Sequence, residues 1–186
     1  MNKKLYCFIG LPCSGKTHVA TLIGARAFDS FDSCTVMSAG AIARSLTTTD
    51  ELNTQMQELD LFPNEDLIRA TILSSVQKAR TEVVVLDGVP RFGDQAEWFC
   101  NKFWEFTPTV FQVSVGDTSI LGDRAKLRHR DVRDTDPKLF TKRLMTASKN
   151  MTDVHTVLNK KLVPYYTILN GSDDSIMLQF KRLIKK

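Results

Sequence analysis

Residues 10–17, GLPCSGKT, match the pattern G-x-x-x-x-G-K-[ST] of a phosphate-binding loop. Such a loop turns so that its backbone N–H groups line an anion nest, and the helix that follows points its N-terminus at the same phosphates. In this pattern Lys16 reaches the outer phosphates of a nucleotide, and the Thr17 hydroxyl faces Mg²⁺. An incidental strand–helix turn is the alternative. The pattern follows a predicted strand and opens a predicted helix, which favours the phosphate loop.

A second chemically suggestive stretch is VVVLDGVPRFGDQ, residues 83–95. Its apolar start is β-branched and does not alternate with polar residues, which predicts a strand buried on both faces. Parallel sheets bind ligands at the carboxyl ends of their strands, and this strand ends at Asp87. Asp87 is therefore predicted to hold Mg²⁺ or its water. The alternative is a helix cap for the segment that starts near Gly93.

Arginines are concentrated in a third stretch, at positions 124, 128, 130 and 133. Guanidinium groups bind phosphate oxygens bidentately and stay protonated, so this cluster suits phosphate chemistry. Taken alone, the cluster also fits a solvated basic face or an RNA-binding patch. The net charge of +4 decides nothing between these readings, because it suits a small polyanion as well as weak nucleic-acid contact.

The elements that must position these residues alternate between strand and helix, which predicts an α/β fold with a mainly parallel sheet and helices on both faces. The predicted strands are 4–9, 34–37, 82–87, 109–115 and 163–169. The predicted helices are 16–28, 39–46, 50–59, 64–80, 93–105, 118–128, 137–161 and 173–185, with a charged loop at 129–136. The helices between the second and third strands exceed what a crossover needs, which indicates an inserted lobe.

Length and composition predict a single soluble domain, with 186 residues and 25% charged residues. The four cysteines form no C-x-x-C pair and have no histidine at metal-ligand spacing, so a reduced, cytoplasmic protein without structural zinc is expected. No apolar run is long enough for a signal peptide or a membrane helix. The histidines are assigned structural or surface roles, and helical spacing predicts a core role for four aromatic residues: Trp98, Phe99, Phe103 and Trp104.

Several segments resemble the adenylate kinase family of nucleoside monophosphate (NMP) kinases, in family order over nearly the whole chain. LDGVPRFGDQAEWF resembles that family's D-G-[FY]-P-R-x-x-x-Q-A segment. SAGAIAR (38–44) resembles S-T-G-D-L-L-R, and LFPNEDLI (61–68) resembles L-V-P-D-E-L. DRAKLR, RDTD and KRL resemble the R-x-x-x-R, R-x-D-D and K-R-L elements around the family's lid.

The resemblance implies a three-layer P-loop fold: a five-stranded parallel sheet flanked by helices, with a helical NMP-binding insert and a short lid. The implied core comprises 1–37, 81–122 and 137–186, the NMP-binding lobe 38–80 and the lid 123–136.

The resemblance also implies a role for individual residues. The implied catalytic residues are Lys16, Arg91, Arg128, Arg133 and Arg143. The implied ATP site is Gly10, Pro12, Cys13, Ser14, Gly15, Lys16, Thr17 and Arg124, the last stacking on the donor adenine. The implied NMP site is Ser38, Ala39, Gly40, Arg44, Phe62, Gly88, Arg91 and Gln95. Within it, Arg44 grips the acceptor α-phosphate and Gln95 reads the acceptor base. Thr17 and Asp87 would hold Mg²⁺, partly through water.

The sequence departs from the family at the acceptor site and the lid. Ala39 is typical of UMP/CMP kinases, whereas Gln95 is the adenylate kinase choice, so the two acceptor signals disagree. Ala41 replaces an acidic residue common in the family, and the lid is shorter than the family's short lids.

The expected function is therefore ATP-dependent NMP kinase activity. AMP or dAMP is favoured as acceptor, because a side-chain reader discriminates better than an absent contact. The alternatives are a UMP/CMP or deoxynucleoside monophosphate kinase and, in another class, a P-loop ATPase or nucleotide-binding module, with RNA as a conceivable partner. The expected partners are ATP and an NMP, with no stable nucleic-acid partner and no membrane. A monomer is the family default.

Overall fold

A computed structural model describes residues 3–28, 33–46, 64–128 and 132–185. Its centre is one five-stranded, wholly parallel sheet with the order β2-β3-β1-β4-β5. The strands are β1 (Lys4–Ile9), β2 (Cys34–Ser38), β3 (Val83–Asp87), β4 (Thr109–Ser114) and β5 (Tyr165–Leu169). The predicted α/β fold is confirmed, and the strand order is typical of the P-loop NMP kinase fold.

Helices cover both faces of this sheet. They are α1 (Lys16–Arg26), α2 (Ala39–Leu46), α3 (Glu65–Lys78), α4 (Gly93–Phe103), α5 (Ile120–Arg128), α6 (Val132–Thr135), α7 (Pro137–Lys160) and α8 (Asp173–Leu183). In β1, Leu5, Cys7 and Ile9 pack toward α2, α3, α4 and α7, while Tyr6 and Phe8 pack toward α1 and α8. The central strand is therefore apolar on both faces, which explains why its sequence does not alternate with polar residues.

Two predictions about helices and core residues are wrong, and one predicted helix cannot be compared. Val132–Thr135 is a short helix, where the sequence predicts a charged loop. Trp104 is 68% exposed rather than in the core, because it lies in a 3₁₀ turn after α4 ends. Phe99 and Phe103 face the sheet one helical turn apart and are fully buried, as predicted. The predicted helix at 50–59 lies outside the described residues.

Within the described part of the chain, no helix combines the length and apolar character that a bilayer crossing requires. The four cysteines are all free thiols. Burial raises the pKa of the Cys7 thiol well above its ordinary value.

Candidate active site

The loop between β1 and α1 is closed tightly around its two glycines. Gly10 has φ 149° and Gly15 has φ 91°, both in the region that side chains rarely adopt. A Cβ on Gly10 would run into the carbonyl oxygen of Val113, and one on Gly15 would run into the amide of Asn170. Asn170 Nδ2 also donates to the carbonyl of Ser14 at 2.8 Å. Both positions therefore require glycine, because Val113 and Asn170 approach the loop backbone too closely for a side chain. These contacts fix the shape of the loop before a phosphate binds.

Lys16 opens α1 with its ammonium inside the cavity that the loop forms. Its Nζ donates to the carbonyl oxygen of Leu11 at 3.0 Å. The pKa of Lys16 is lowered to about 8, mainly because burial disfavours the charged ammonium. The carboxylate of Asp87 acts in the opposite direction, whereas three neighbouring guanidinium groups also lower the pKa: Arg91, Arg143 and Arg128. Lys16 therefore lies close to several guanidinium groups, and the resulting concentration of positive charge favours a bound polyanion.

Thr17 and Asp87 meet at the mouth of the same loop. Thr17 Oγ1 donates to Asp87 Oδ2 at 2.7 Å, which joins the start of α1 to the end of β3. Asp87 is 5% exposed, and no described group bonds its buried Oδ1. Helix α4 begins after Phe92 without a side-chain cap, so the capping alternative for Asp87 is not observed.

This pair fits Mg²⁺, because Mg²⁺ is commonly bound by one or two carboxylates together with nucleotide phosphates. Over the described ranges, no group of three or more acidic, histidine or cysteine side chains forms a metal cage. The orphaned carboxylate oxygen of Asp87 and the hydroxyl of Thr17 are the groups that would hold the ion.

Four arginines from four segments line the same cavity as Lys16, Thr17 and Asp87: Arg44, Arg91, Arg128 and Arg143. A Cβ on Gly40 would lie 3.3 Å from Arg44 Nη1 and 3.5 Å from Arg91 Nη2. Both guanidinium groups therefore converge on the start of α2. Arg91 is anchored there by its Nε, which donates to the carbonyl of Gly88 at 3.0 Å.

Asp134 holds two of these arginines and was missed by the sequence reasoning. Arg128 donates from Nε to Asp134 Oδ2 at 2.7 Å and from Nη2 to Oδ1 at 2.6 Å. Arg143 Nη1 donates to Oδ1 at 3.0 Å. The Asp134 side chain is fully buried. In the sequence, Asp134 is only an acidic residue close to several arginines, and its position does not indicate which of them it binds.

The predicted ATP-binding residues fall into two adjoining spaces. Gly10, Pro12, Lys16 and Thr17 line the main cavity. Cys13, Gly15 and Arg124 line a second one together with Lys16, Thr17 and Arg128. Arg124 Nη1 donates to the carbonyl of Cys13 at 3.5 Å. The Ser14 hydroxyl is buried, and no described group bonds it.

The predicted NMP-binding residues are only partly brought together. Ser38, Gly40, Arg44, Gly88 and Arg91 line the main cavity. Ala39 is buried in the core at 1% exposure and Gln95 at 0%. Phe62 lies outside the described residues, as does the side chain of the predicted catalytic Arg133.

A larger cavity, of about 970 Å³, lies at the amino ends of β1 and β4, away from the strand ends that carry the phosphate loop and Asp87. Trp104, Leu162 and Lys4 are among its lining residues, and it contains none of the predicted site residues. The convergence of charged groups, rather than volume, therefore marks the candidate active site.

A phosphate loop after β1, a carboxylate at the end of β3 and this strand order define an NMP-kinase-like P-loop protein. The model of the AAA domain family matches residues 9–139, and the chain belongs to that family.

Curated relatives extend the match over most of the chain. The adenylate kinase of Helicobacter hepaticus is 28% identical over 170 residues, covering 87% of this chain and 86% of that protein. The adenylate kinase of Nautilia profundicola is 29% identical, covering 82% and 81%. One from Campylobacter jejuni is 26% identical, covering 99% and 97%. The resemblance stated from the sequence is confirmed: distant adenylate kinase homologues match nearly the whole chain.

Proposed function

We propose that this protein is an ATP-dependent NMP kinase that transfers the γ-phosphate of ATP to an NMP, with AMP or dAMP as the first candidate acceptor. One observation carries the proposal: the phosphate loop and the pair Arg44 and Arg91 open into one cavity. A protein that only binds or hydrolyses ATP needs no second phosphate site. The names of the distant relatives support AMP as the acceptor.

The chemistry needs alignment and charge neutralisation more than covalent help. Lys16 and the loop amides would hold the donor phosphates, Arg44 the acceptor phosphate, and Arg91 would bridge the two. Arg128, Arg133 and Arg143 would neutralise the group in transfer. Mg²⁺, held by Thr17 and Asp87, would neutralise charge on the donor phosphates.

The division of the chain is part of the proposal. Residues 38–80 form the acceptor lobe, 123–136 the lid, and the remaining segments the core. Closure of lobe and lid would exclude water, which otherwise competes with the acceptor for the phosphoryl group.

UMP or CMP is the second candidate acceptor, and two observations favour it. Ala39 contributes only a buried methyl group at the start of α2. Gln95, the residue that would select adenine, is fully buried with both ends of its amide hydrogen-bonded.

The test is product formation from ATP·Mg²⁺ with a panel of ribo- and deoxynucleoside monophosphates. We expect ADP to form fastest with AMP or dAMP as acceptor. Faster transfer to CMP or UMP would establish the second candidate. No transfer to any acceptor, with ATP still bound, would favour the ATPase or binding-module class.

Arg44→Ala separates an acceptor site from the donor site in the same assay. The acceptor KM is expected to rise about 10–100-fold while the Kd for ATP stays within about twofold, because one charge-assisted phosphate contact is lost. Arg80→Ala, at an exposed arginine after α3, is the matched control. Equal weakening of both substrates would count against a separate acceptor site.

ATP binding is expected to depend on pH through Lys16. The pKa of about 8 means that its ammonium is charged below this pH and mostly neutral about one unit above it. Bound phosphates favour the charged form, so binding takes up a proton above this pKa, and affinity falls about tenfold by about pH 9.

Calorimetry in two buffers of different ionisation enthalpy measures that proton uptake directly. Lys16→Arg is expected to remove the uptake, because arginine stays protonated. Equal proton uptake by this variant and the unaltered protein would assign the proton to another group.

A further inference from the structure

Gln95 is tied to the backbone of Arg91. It is the third residue of α4, and its Oε1 accepts from the Arg91 N–H at 2.6 Å. In a capping box a glutamine at this position bonds the N–H of the N-cap residue; here Phe92 is the N-cap and Gln95 reaches one residue further back. At the other end of its amide, Nε2 donates to Glu65 Oε1 at 2.8 Å. Both ends of the amide are thus used, which fixes its orientation.

Glu65 is itself firmly held at the start of α3. Its Oε1 also accepts from Arg69 Nε at 2.8 Å, one helical turn later. Arg69 in turn reaches Asp94 at 3.1 Å and lies over the ring of Trp98, 5.8 Å from its centre. Charged and polar groups therefore join α3 to α4, with the buried Gln95 amide between Glu65 and the Arg91 N–H, while no described group bonds the buried Oε2 of Glu65.

We propose that Glu65 and Gln95 are positioning residues for Arg91. Two hydrogen bonds, from Gln95 Nε2 to Glu65 and from the Arg91 N–H to Gln95 Oε1, form what we call the relay. It connects α3 to the backbone of Arg91, whose guanidinium lines the candidate active site. Loss of either bond lets the segment between Gly88 and Arg91 shift. A small misplacement of a phosphate-binding group is enough to lower the rate substantially.

The relay predicts an effect different from base recognition. Gln95 has no exposed surface, so a base cannot touch it unless the helix contact opens. Arg91 would meet the phosphates, which every acceptor shares. A defect in the relay therefore lowers transfer to all acceptors by one factor, whereas loss of a base reader lowers transfer to one base only.

The test rests on the proposed function and uses Gln95→Met, Glu65→Met and the double variant. Methionine keeps similar bulk without these hydrogen bonds. Each variant is expected to lower kcat about 10–100-fold for AMP, CMP and UMP alike, with a smaller change in the Kd for ATP, because Lys16 and the loop amides still hold the donor phosphates. The double variant is expected to fall no further than the worse single variant, because both substitutions act through the hydrogen bond from the Arg91 N–H to Gln95 Oε1.

Glu65→Gln keeps an acceptor oxygen for Gln95 and is expected to have a kcat close to that of the unaltered protein. This comparison holds even if the methionine variants fold poorly. Asp66→Ala, at the exposed next residue of α3, is the matched control. A loss confined to AMP, additive losses in the double variant, or no recovery in a folded Glu65→Gln would each overturn the relay. Absence of transfer by the unaltered protein would instead overturn the proposed function, and the relay with it.

Discussion

Lys16→Met is expected to lower kcat for phosphoryl transfer by about 10³-fold, the scale seen when one preorganised donor to developing charge is removed. The ammonium is enclosed at the end of the phosphate loop and is held by the carbonyl of Leu11. Stability is expected not to fall, because the substitution removes a charge from a site that disfavours it. Steady-state kinetics and thermal unfolding of the same samples measure both effects.

Lys126→Met is the matched control for this variant, since Lys126 is exposed and its ion pair with Asp123 lies at the surface. It is expected to match the unaltered protein in both assays. A loss of less than about tenfold in Lys16→Met would remove Lys16 from the catalytic groups.

Asp134→Ala is expected to lower both activity and stability. The fully buried carboxylate accepts hydrogen bonds from Arg128 and Arg143. Its removal leaves charged donors without their acceptor, at a cost of about 1–3 kcal/mol in the free energy of unfolding. It also removes the buried acceptor that positions both guanidinium groups, and kcat is expected to fall about 10²-fold.

Denaturant unfolding and kinetics of Asp134→Ala and Asp134→Asn measure these effects. Asparagine keeps an acceptor oxygen and is expected to lie between alanine and the unaltered protein. Asp123→Asn, at an exposed carboxylate on α5, is the control. If Asp134→Ala loses stability but keeps its kcat, the acid is structural and does not position the arginines.

The sequence predicted those parts of the molecule that depend on local pattern. The phosphate loop was readable because its glycines and Lys16 lie within one short segment of fixed geometry. The buried strand ending at Asp87 was readable because a short β-branched apolar run that ends at Gly and Pro favours a strand covered on both faces. The parallel sheet followed from the alternation of such strands with helices.

What the sequence did not reveal depends on pairing between distant segments. No spacing rule tells that Asp134 closes on Arg143 rather than pointing to solvent, nor that Glu65 meets Gln95 thirty residues later. Gln95 shows the difficulty most clearly. Base recognition, which the resemblance implies, and the hydrogen bonds to Arg91 and Glu65 would use the same amide. Only the structure shows that Arg91 and Glu65 are its partners.

The placement of β1 at the centre of the sheet has a consequence for synthesis of the chain. This strand precedes the other four described strands in the chain, yet its neighbours are β3 and β4, with Lys4 aligned to Val83 and Tyr6 to Thr109. At usual translation rates of about 5–20 residues per second, roughly 4–16 s pass before β3 has been made. During this interval the backbone edges of KLYCFI lack both of their neighbouring strands, and the residues of α2, α3, α4, α7 and α8 that cover its apolar faces are not all made. The nascent chain is therefore most open to chaperones and to aggregation before the third strand leaves the ribosome.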